Sequence, residues 1–388
     1  MAYWQIYHVD STSYLNGVYE VSINEGRQQR IDPYSSGDCT LRFRGSLSWS
    51  ATPKLNDYVL VEYVDNTYAG SFKSSQAFAG YIRNVSYEYA IVSQADEVVI
   101  ELDSILAWLG KAQLASFVTS ATDSITQAQA VIAEVGFAST NFGLGASDVI
   151  GQTYSGNAFD LVNDLVITEM GFLFEYWVRG SYPAIGYPTI GLYPRNYKGY
   201  PEDLVYYSGG TTPAILSDTA SSNSSHLYYD QIRFKSRAEN FYSKAVIDPQ
   251  TLATQQATKG SAPFNALELS TLDATTAQAD DLAEYLVNMY SSKTAFPTEV
   301  TFAFGRQEGV AAKQGRFFEL LLLGNLVGKR FQVVFRGSTY NVIAEGASIQ
   351  GSLDDTRITV FFSSEAQNNF LILDDTVYGT LDTNRLGF

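Results

Sequence analysis

The stretch Val18-Tyr19-Glu20-Val21-Ser22-Ile23 alternates apolar and polar side chains with a period of two. Successive side chains of a β-strand point to opposite faces, so this pattern predicts a strand with one buried and one exposed face. The same alternation returns in Thr40-Leu41-Arg42-Phe43-Arg44-Gly45-Ser46-Leu47, where Leu41, Phe43 and Leu47 are the apolar members. The chain is therefore expected to begin with an antiparallel sheet.

Further strand-like segments follow at short intervals, with turn-forming residues such as Asp65-Asn66 between them. They occupy residues 58–64, 77–82, 85–89 and 97–102. Closely spaced strands without a long helix are typical of a small antiparallel barrel or sandwich. Residues 1–110 are therefore expected to form a first β-barrel domain, which a short helix at residues 104–109 closes.

The pattern changes after residue 110. Apolar residues recur at helical spacing from Ile125 to Val135, and Gly136 follows as a plausible cap, which predicts a helix over residues 124–135. A second helix is predicted to end near Met170-Gly171. Residues 172–178 and 190–193 then resemble the two strands of a hairpin. Residues 111–207 are therefore interpreted as an α+β insert.

The last part of the chain returns to strands. Residues 208–225 are rich in Ser, Thr and Gly, and this composition is typical of a flexible boundary loop. Strand patterns then resume, with one clear helix over about residues 275–290, so residues 226–364 are expected to form a second β-barrel domain. The predicted fold is mainly β, with two β-barrel-like domains that flank a mixed α/β segment.

Composition excludes several classes of protein. The chain carries 41 acidic and 25 basic residues, a net charge of −16, without the basic patch that a nucleic-acid binder needs. That charge suits a conduit that DNA passes without sticking, or plain solubility. No apolar run approaches the roughly 18 residues of a membrane span, and no secretory signal is visible, which predicts synthesis in the cytoplasm without a membrane anchor. The one cysteine cannot form an intramolecular disulfide, so stability must come from packing and assembly.

The residues of nucleophilic and metal catalysis are scarce. Cys39 is the only thiol and lies in no recognised signature, while His8 and His226 are the only histidines. A catalytic zinc usually needs two or three histidines and a carboxylate, and the chain has no His-Glu-x-x-His motif. The sequence therefore predicts no catalytic residue, no metal site and no cofactor.

Three pairs of carboxylates could be imagined as the acid and base of a glycosidase. They are Asp280-Asp281, Asp354-Asp355 and Asp374-Asp375. Adjacent residues on a helix do not face each other, and Asp354-Asp355 follows a Gly351-Ser352-Leu353 turn, so these pairs are interpreted as solvated turn and cap residues.

The C-terminal segment, residues 365–388, is apolar but too short for a core of its own. Its apolar side chains are Phe370, Leu371, Leu373, Tyr378, Leu381 and Leu386. Chain termini fray unless something holds them. These residues are therefore predicted to form an interface with another module or a neighbouring subunit, or else to pack back on their own barrel.

Three segments resemble a known family, the minor tail and baseplate hub proteins of long-tailed bacteriophages. Residues 55–61 followed by Phe78-Ala79-Gly80-Tyr81-Ile82 resemble a pair of strands in these proteins. Residues 157–165 leading to residues 169–174 are similar to the helix-then-strand signature of their insert. The C-terminal nineteen residues, 370–388, look like the ending of many minor tail proteins and are the most specific of the three matches.

The resemblance implies two barrels that flank a mixed insert, in a non-enzymatic protein that assembles into a hub-type ring. Such rings are commonly trimers, in which paired barrels mimic six-fold symmetry. The implied partners are further copies of the chain, the distal tail or tail tube protein, the tape-measure protein and central tip or fibre proteins. DNA would pass through the lumen as cargo, and the protein would reside in the tail tip or baseplate of the virion.

The residues by themselves are also compatible with other functions. A subunit of the distal tail ring would assemble as a hexamer. A peripheral carbohydrate-binding receptor module is conceivable because the chain has 27 tyrosines, and aromatic platforms bind sugars. A cell-wall hydrolase is disfavoured by the missing catalytic constellation.

Overall fold

The fold is given by a computed structural model. It describes residues 2–8, 13–44, 54–65, 73–88, 96–141, 147–177, 188–195, 214–219, 226–235, 241–262, 264–291, 296–305, 326–352, 355–365, 370–371 and 385–386.

The first six strands close into a barrel. They are β1 (Ala2–His8), β2 (Ser13–Gly26), β3 (Asp38–Arg44), β4 (Tyr58–Asp65), β5 (Lys73–Glu88) and β6 (Glu97–Asp103). Each strand pairs antiparallel with two others in the ring order β1-β2-β3-β6-β5-β4, and β4 returns to β1. Closure leaves no free edge within the ring, which removes a template for unwanted strand pairing.

Two features of this barrel differ from the sequence prediction. Residues 77–82 and 85–89 were expected as separate strands, but β5 runs through both as one strand of 16 residues. The alternation breaks at this point because the register of β5 against β6 shifts between Ile82 and Asn84. The second difference is β1, which was not predicted because its apolar and polar residues do not alternate cleanly.

The insert packs helices and small sheets around a core of its own. Its elements are α1 (Ile105–Lys111), β7 (Gln113–Val118), β8 (Thr122–Asp123), α2 (Ser124–Glu134), β9 (Ala138–Asn141), β10 (Asp148–Val149), β11 (Thr153–Asn157), α3 (Ala158–Glu169), β12 (Phe172–Trp177) and β13 (Pro188–Tyr193). The predicted hairpin strands β12 and β13 do pair antiparallel. The apolar stripe of α2, which includes Val131 and Ile132, packs against α3 in this core.

The remaining elements build a second barrel and a smaller unit. They are β14 (Ala214–Ser217), β15 (His226–Tyr228), β16 (Gln231–Lys235), β17 (Lys244–Pro249), β18 (Gln255–Thr258), β19 (Ala266–Thr271), α4 (Thr276–Tyr290), β20 (Phe296–Gly305), β21 (Arg330–Phe335), β22 (Ser338–Ser352) and β23 (Asp355–Ser364). The strand β14 lies within residues 208–225, so the expectation of a loop throughout that stretch was wrong. Its Ala-Ile-Leu-Ser sequence supplies too few apolar residues to stand out from the polar residues around it.

The second ring of strands has the same order as the first. The consecutive strands β15 and β16 act as one bent strand, because Tyr229 N donates to Ser217 O of β14 and Asp230 N donates to Thr301 O of β20. The ring then reads β14-(β15-β16)-β20-β23-β22-β21, and β21 returns to β14. Strand for strand this matches the first ring, except that β14 runs parallel to its neighbours whereas β1 runs antiparallel.

A three-stranded sheet and the helix α4 separate β16 from β20. The strand β17 lies between β18 and β19, and α4 packs on this sheet through Ala279, Leu282, Ala283 and Leu286. The predicted helix is thus present, but it belongs to a unit with its own core and not to the barrel wall.

The two barrels join along a seam. Residues 20–26 of β2 pair antiparallel with residues 346–352 of β22, and both strands continue into their own barrels. One hydrophobic core runs through both barrels, from Trp4 to Phe362. The fold therefore presents the two barrels as one continuous body.

The last two described segments of the chain are short strands. The short strands β24 (Phe370–Leu371) and β25 (Arg385–Leu386) pair parallel with each other. Within the residues that the structure describes, no helix has the length and apolar character that crossing a membrane requires.

Candidate functional site

The candidate site is the junction where the seam between the barrels meets the insert. Here the backbones of β2 and β22 approach unusually closely. A Cβ added to Gly346 would lie 2.5 Å from Glu25 O and 2.7 Å from Arg27 O, and a Cβ on Gly26 would lie 2.4 Å from Glu345 O. Only glycine fits such distances. The two glycines thus let the barrels meet backbone to backbone.

A buried charge triad occupies this junction. Arg27 and Arg30 follow β2, and Glu345 precedes the seam on β22. Arg27 Nε donates to Glu345 Oε2 at 2.9 Å, and Arg30 Nε donates to Glu345 Oε1 at 2.8 Å. None of the three side chains is exposed. One carboxylate between two guanidinium groups therefore joins the end of one barrel strand to the middle of another.

The same arginines hold the insert and α4 to the barrels. Arg27 Nη2 donates to Gly171 O at 2.9 Å, just before β12, and Arg30 Nη1 donates to Tyr285 Oη at 3.0 Å on α4. The Arg30 guanidinium also lies 4.1 Å from the ring centre of Phe172, a cation–π contact. The triad thus contacts all four structural units.

The electrostatics of the triad favour the fully charged state. Burial by itself would raise the pKa of Glu345, but the Arg30 and Arg27 guanidinium groups outweigh it and hold that pKa below its ordinary value. The pKa of Arg30 is raised despite its burial, chiefly because of Glu345. Partners that satisfy each other's charge and hydrogen bonds are the condition under which a buried ion pair persists.

Local sequence explains how the insert reaches the triad. Asn157 caps α3, because its side chain accepts hydrogen bonds from Phe159 N and Asp160 N. The helix ends at Met170, whose φ of 51° is left-handed, and Gly171 N then donates to Val166 O. This turn points Gly171 O at Arg27.

A second contact lies within the insert and fixes the start of α1, the helix that was expected to close the first barrel but packs in the core of the insert. The carboxylate of Glu175 on β12 accepts hydrogen bonds from Ile105 N at 3.2 Å and Leu106 N at 3.0 Å, at the start of α1. Burial nevertheless raises the pKa of Glu175 to about 7. Burial, followed by the nearby charge of Glu175, raises the pKa of Glu25 to about 8. These two acids therefore titrate near neutral pH.

The residues considered for catalysis are not brought together. Cys39 is buried in the first barrel, where burial raises the pKa of its thiol well above the usual range. His8 lies in β1 of the first barrel and His226 in β15 of the second. In the described part of the chain, no group of three or more His, Cys, Asp or Glu side chains could hold a metal ion.

The carboxylate pairs do not form a site either. Asp280 and Asp281 are both exposed on α4. Asp355 forms an ion pair with Arg357 at 2.9 Å on the surface of β23. Asp354, Asp374 and Asp375 lie outside the described residues.

The predicted C-terminal interface is only partly covered by the structure. Phe370 and Leu371 form β24, and Leu386 lies in β25. Leu373, Tyr378 and Leu381 lie outside the described residues. Docking of this segment on a neighbour therefore stays a prediction.

The charge triad was not predicted from the sequence. The one residue that could have indicated it is Glu345, because it is the single charge in the otherwise uncharged stretch from Asn341 to Gln350. A charged residue in such a stretch is buried only with a partner. Nothing in the sequence indicated that Arg27 and Arg30 are that partner.

Comparison with known proteins gives structural matches only. No family model and no curated protein matches the sequence. The 43 kDa tail protein of prophage MuSo2 from Shewanella oneidensis matches with a TM-score of 0.57 at 12% identity, over 95% of this chain and 100% of that one. The tail protein from Neisseria meningitidis MC58 matches with a TM-score of 0.60 at 10% identity, over 94% and 97%.

A third match comes from one chain of a protein complex. A chain of the half-lidded Francisella PdpA-VgrG complex has a TM-score of 0.51 at 9% identity, over 95% of this chain and 58% of that one. Identities this low show a shared fold. Two of the three structures are tail proteins, as the three sequence segments predicted, and the chain has the fold of phage tail proteins.

Proposed function

We propose that the chain is a structural hub or minor tail protein of a bacteriophage, which forms a homotrimeric ring at the distal end of the tail tube. It acts by assembly, without catalysis, in the tail tip or baseplate of the virion. DNA passes through the lumen of the ring.

The equivalence of the two barrels carries this proposal. Both rings of strands have the same order, and they are fused along the seam of β2 and β22. Three copies of such a chain supply six similar barrels around one axis. A trimer can therefore match the six-fold symmetry of a tail tube on one side and a three-fold tip on the other.

The junction supports the proposal because a ring wall must keep its two barrels in a fixed relation. The triad, the paired glycines and the shared core all act across the seam. Packed interfaces of this kind transmit strain and do not deform gradually. The insert and α4 are fixed to the same point, so they extend from the wall at a set angle.

The proposed partners follow from the ring. Further copies of the chain close it, the distal tail or tail tube protein contacts one side, and central tip or fibre proteins contact the other. The tape-measure protein occupies the lumen before DNA does.

Native mass spectrometry of the purified chain tests the oligomeric state. We expect a trimer. A hexamer would favour the distal tail ring, and a chain that stays monomeric over a wide concentration range would contradict both ring assignments.

A further inference from the structure

The two arginines of the triad differ in how many of their donors are used. Arg27 donates from all three of its nitrogen atoms. Its Nε bonds to Glu345 Oε2, its Nη2 bonds to Gly171 O at 2.9 Å, and its Nη1 bonds to Asp32 O at 3.4 Å. Arg30 donates from Nε and Nη1 only. Its Nη2 is buried and has no hydrogen-bond partner in the described part of the chain.

The rest of the Arg30 guanidinium group is in contact with the protein. One face lies 4.1 Å from the ring centre of Phe172, Nε bonds to Glu345, and Nη1 bonds to Tyr285. The residue is fully buried, so bulk water does not reach Nη2. A buried donor without a partner lowers stability, and more so when it is charged. An acceptor is therefore expected at Nη2.

A second buried donor belongs to the same junction. Tyr290 ends α4 and is 8% exposed, and its Oη also has no hydrogen-bond partner among the described residues. Burial, followed by the charge of Glu345, raises the pKa of this hydroxyl, so it keeps its proton and can donate. Arg30 and Arg27 act on the same hydroxyl in the opposite direction, which places it within electrostatic reach of the triad.

The buried charges of the junction do not balance. Arg27 and Arg30 carry two positive charges, whereas Glu345 carries one negative charge and already uses both of its oxygens for them. Asp32 lies near Arg27, but it is partly exposed and its Oδ2 accepts from Gln29 N. A buried charge is costly unless a counter-charge lies close to it. One further negative charge is therefore expected beside Arg30.

We propose that a small monovalent anion of the halide class, chloride in ordinary solutions, binds at Arg30 Nη2 and Tyr290 Oη. Such an ion accepts hydrogen bonds from both donors and supplies the negative charge. A water molecule could accept the same bonds but would leave the charge unbalanced. The ion completes the junction that fixes the barrels, the insert and α4. Because all of these groups belong to one chain, the site does not depend on the ring.

Thermal unfolding at constant ionic strength tests the site, with potassium gluconate replaced stepwise by potassium chloride. A ligand that binds only the folded state raises its melting temperature, so the native chain should respond to chloride and saturate. In Tyr290→Phe, the chloride concentration that gives half of the effect should rise roughly ten-fold, because one hydrogen bond to a charged group is lost. In gluconate this variant should be at least as stable as the native chain, because an unpartnered hydroxyl has been removed.

Tyr229→Phe is the matched control. Tyr229 is a buried tyrosine of the second barrel, and its Oη donates to Val334 O at 2.9 Å. Loss of this bond should lower the melting temperature by the same amount in both salts and leave the response to chloride unchanged. An equal response to chloride in the native chain and in Tyr290→Phe would overturn the proposed site.

Anomalous X-ray scattering from crystals soaked in bromide locates the ion directly. We expect a bromide peak in contact with Arg30 Nη2 and Tyr290 Oη in the native chain, and a weaker peak there in Tyr290→Phe. Bromide at the protein surface alone would be an adventitious ion only and would contradict the inference. An ordered water molecule at Arg30 Nη2 in place of bromide would contradict it as well.

Discussion

Arg30 Nε donates to Glu345 Oε1 at 2.8 Å, although 315 positions of sequence separate the two residues. This contact links the end of β2 in the first barrel to β22 in the second. Because Arg27 completes the triad and also bonds to the insert, one buried carboxylate fixes the relation of three units.

Removal of that carboxylate should be severely destabilising. In Glu345→Ala, two buried guanidinium groups lose their counter-charge, and breaking a buried ion pair on one side typically costs about 3–5 kcal/mol. We expect the free energy of unfolding in urea to fall by about that amount. The control Glu268→Ala, at an exposed strand position, should change it by less than about 0.5 kcal/mol. Equal effects of the two variants would contradict the role of the triad.

The glycines of the seam should not tolerate a methyl group. In Gly346→Ala the new Cβ would meet the backbone oxygens of Glu25 and Arg27, which cannot move without parting the strands. Overpacking of this kind costs about 1–3 kcal/mol. Gly110→Ala is the matched control, because the nearest atom to its Cβ would be 3.9 Å away and alanine favours the helix. A melting temperature of Gly346→Ala at or above that of Gly110→Ala would argue against the close approach.

The stability of the protein should fall as the pH rises through 7 to 8. Unfolded glutamates titrate near 4.5, whereas burial raises the pKa of Glu25 to about 8 and of Glu175 to about 7. The folded state therefore binds more protons than the unfolded state, and stability that is present below pH 4.5 is lost as both groups ionise.

Urea unfolding between pH 6 and pH 9 measures this loss. Glu25→Gln should reduce the slope to the part that Glu175 contributes, because a neutral amide replaces one of the two acids, while exposed Glu268→Gln should keep the native slope. A native slope in Glu25→Gln would show that Glu25 does not titrate in this range.

Glu345 should give the opposite dependence in acid. Its pKa in the folded state is held below the unfolded value of 4.5, so its contribution is present above pH 4.5 and is lost as the pH falls through the folded pKa. Unfolding by acid should therefore begin at the junction. Hydrogen exchange at low pH should show protection lost first near residues 27–30 and 342–347, and simultaneous loss along the whole chain would disagree.

The C-terminal segment offers a separate prediction. Deletion of residues 370–388 should weaken ring formation if Phe370, Leu371 and Leu386 dock on a neighbour. Analytical ultracentrifugation at several concentrations measures this, with the melting temperature as a check that the barrels remain folded. Unchanged assembly together with unchanged melting would count against docking.

Local structure could be predicted from sequence where its signals are local. The helix α3 begins after its cap Asn157, and α4 begins after Thr275, whose side chain accepts from Gln278 N. Both helices lie where apolar spacing predicted them. The strand β22 shows the opposite case, because apolar and polar residues do not alternate throughout its 15 residues. Glu345 and Gly346 interrupt this alternation, because the junction requires a buried charge and a residue without a side chain at these positions.

The junction itself could not be predicted, since it depends on which distant strands pair. The seam of β2 and β22 joins residues more than 300 positions apart, and β14 pairs with β21 across more than 100. Periodicity identifies which face of a strand is buried but not its neighbour in the sheet. The resemblance to tail proteins predicted that there are two barrels. Only the strand pairing in the structure shows that both have the same strand order.

We propose that three chains build one ring wall from six similar barrels. Cryo-electron microscopy of the assembled protein tests it most directly. We predict a three-fold ring in which six barrels surround the lumen at one radius and alternate around the axis. A particle in which only one barrel of each chain lines the lumen, or a particle without a lumen, would contradict this arrangement.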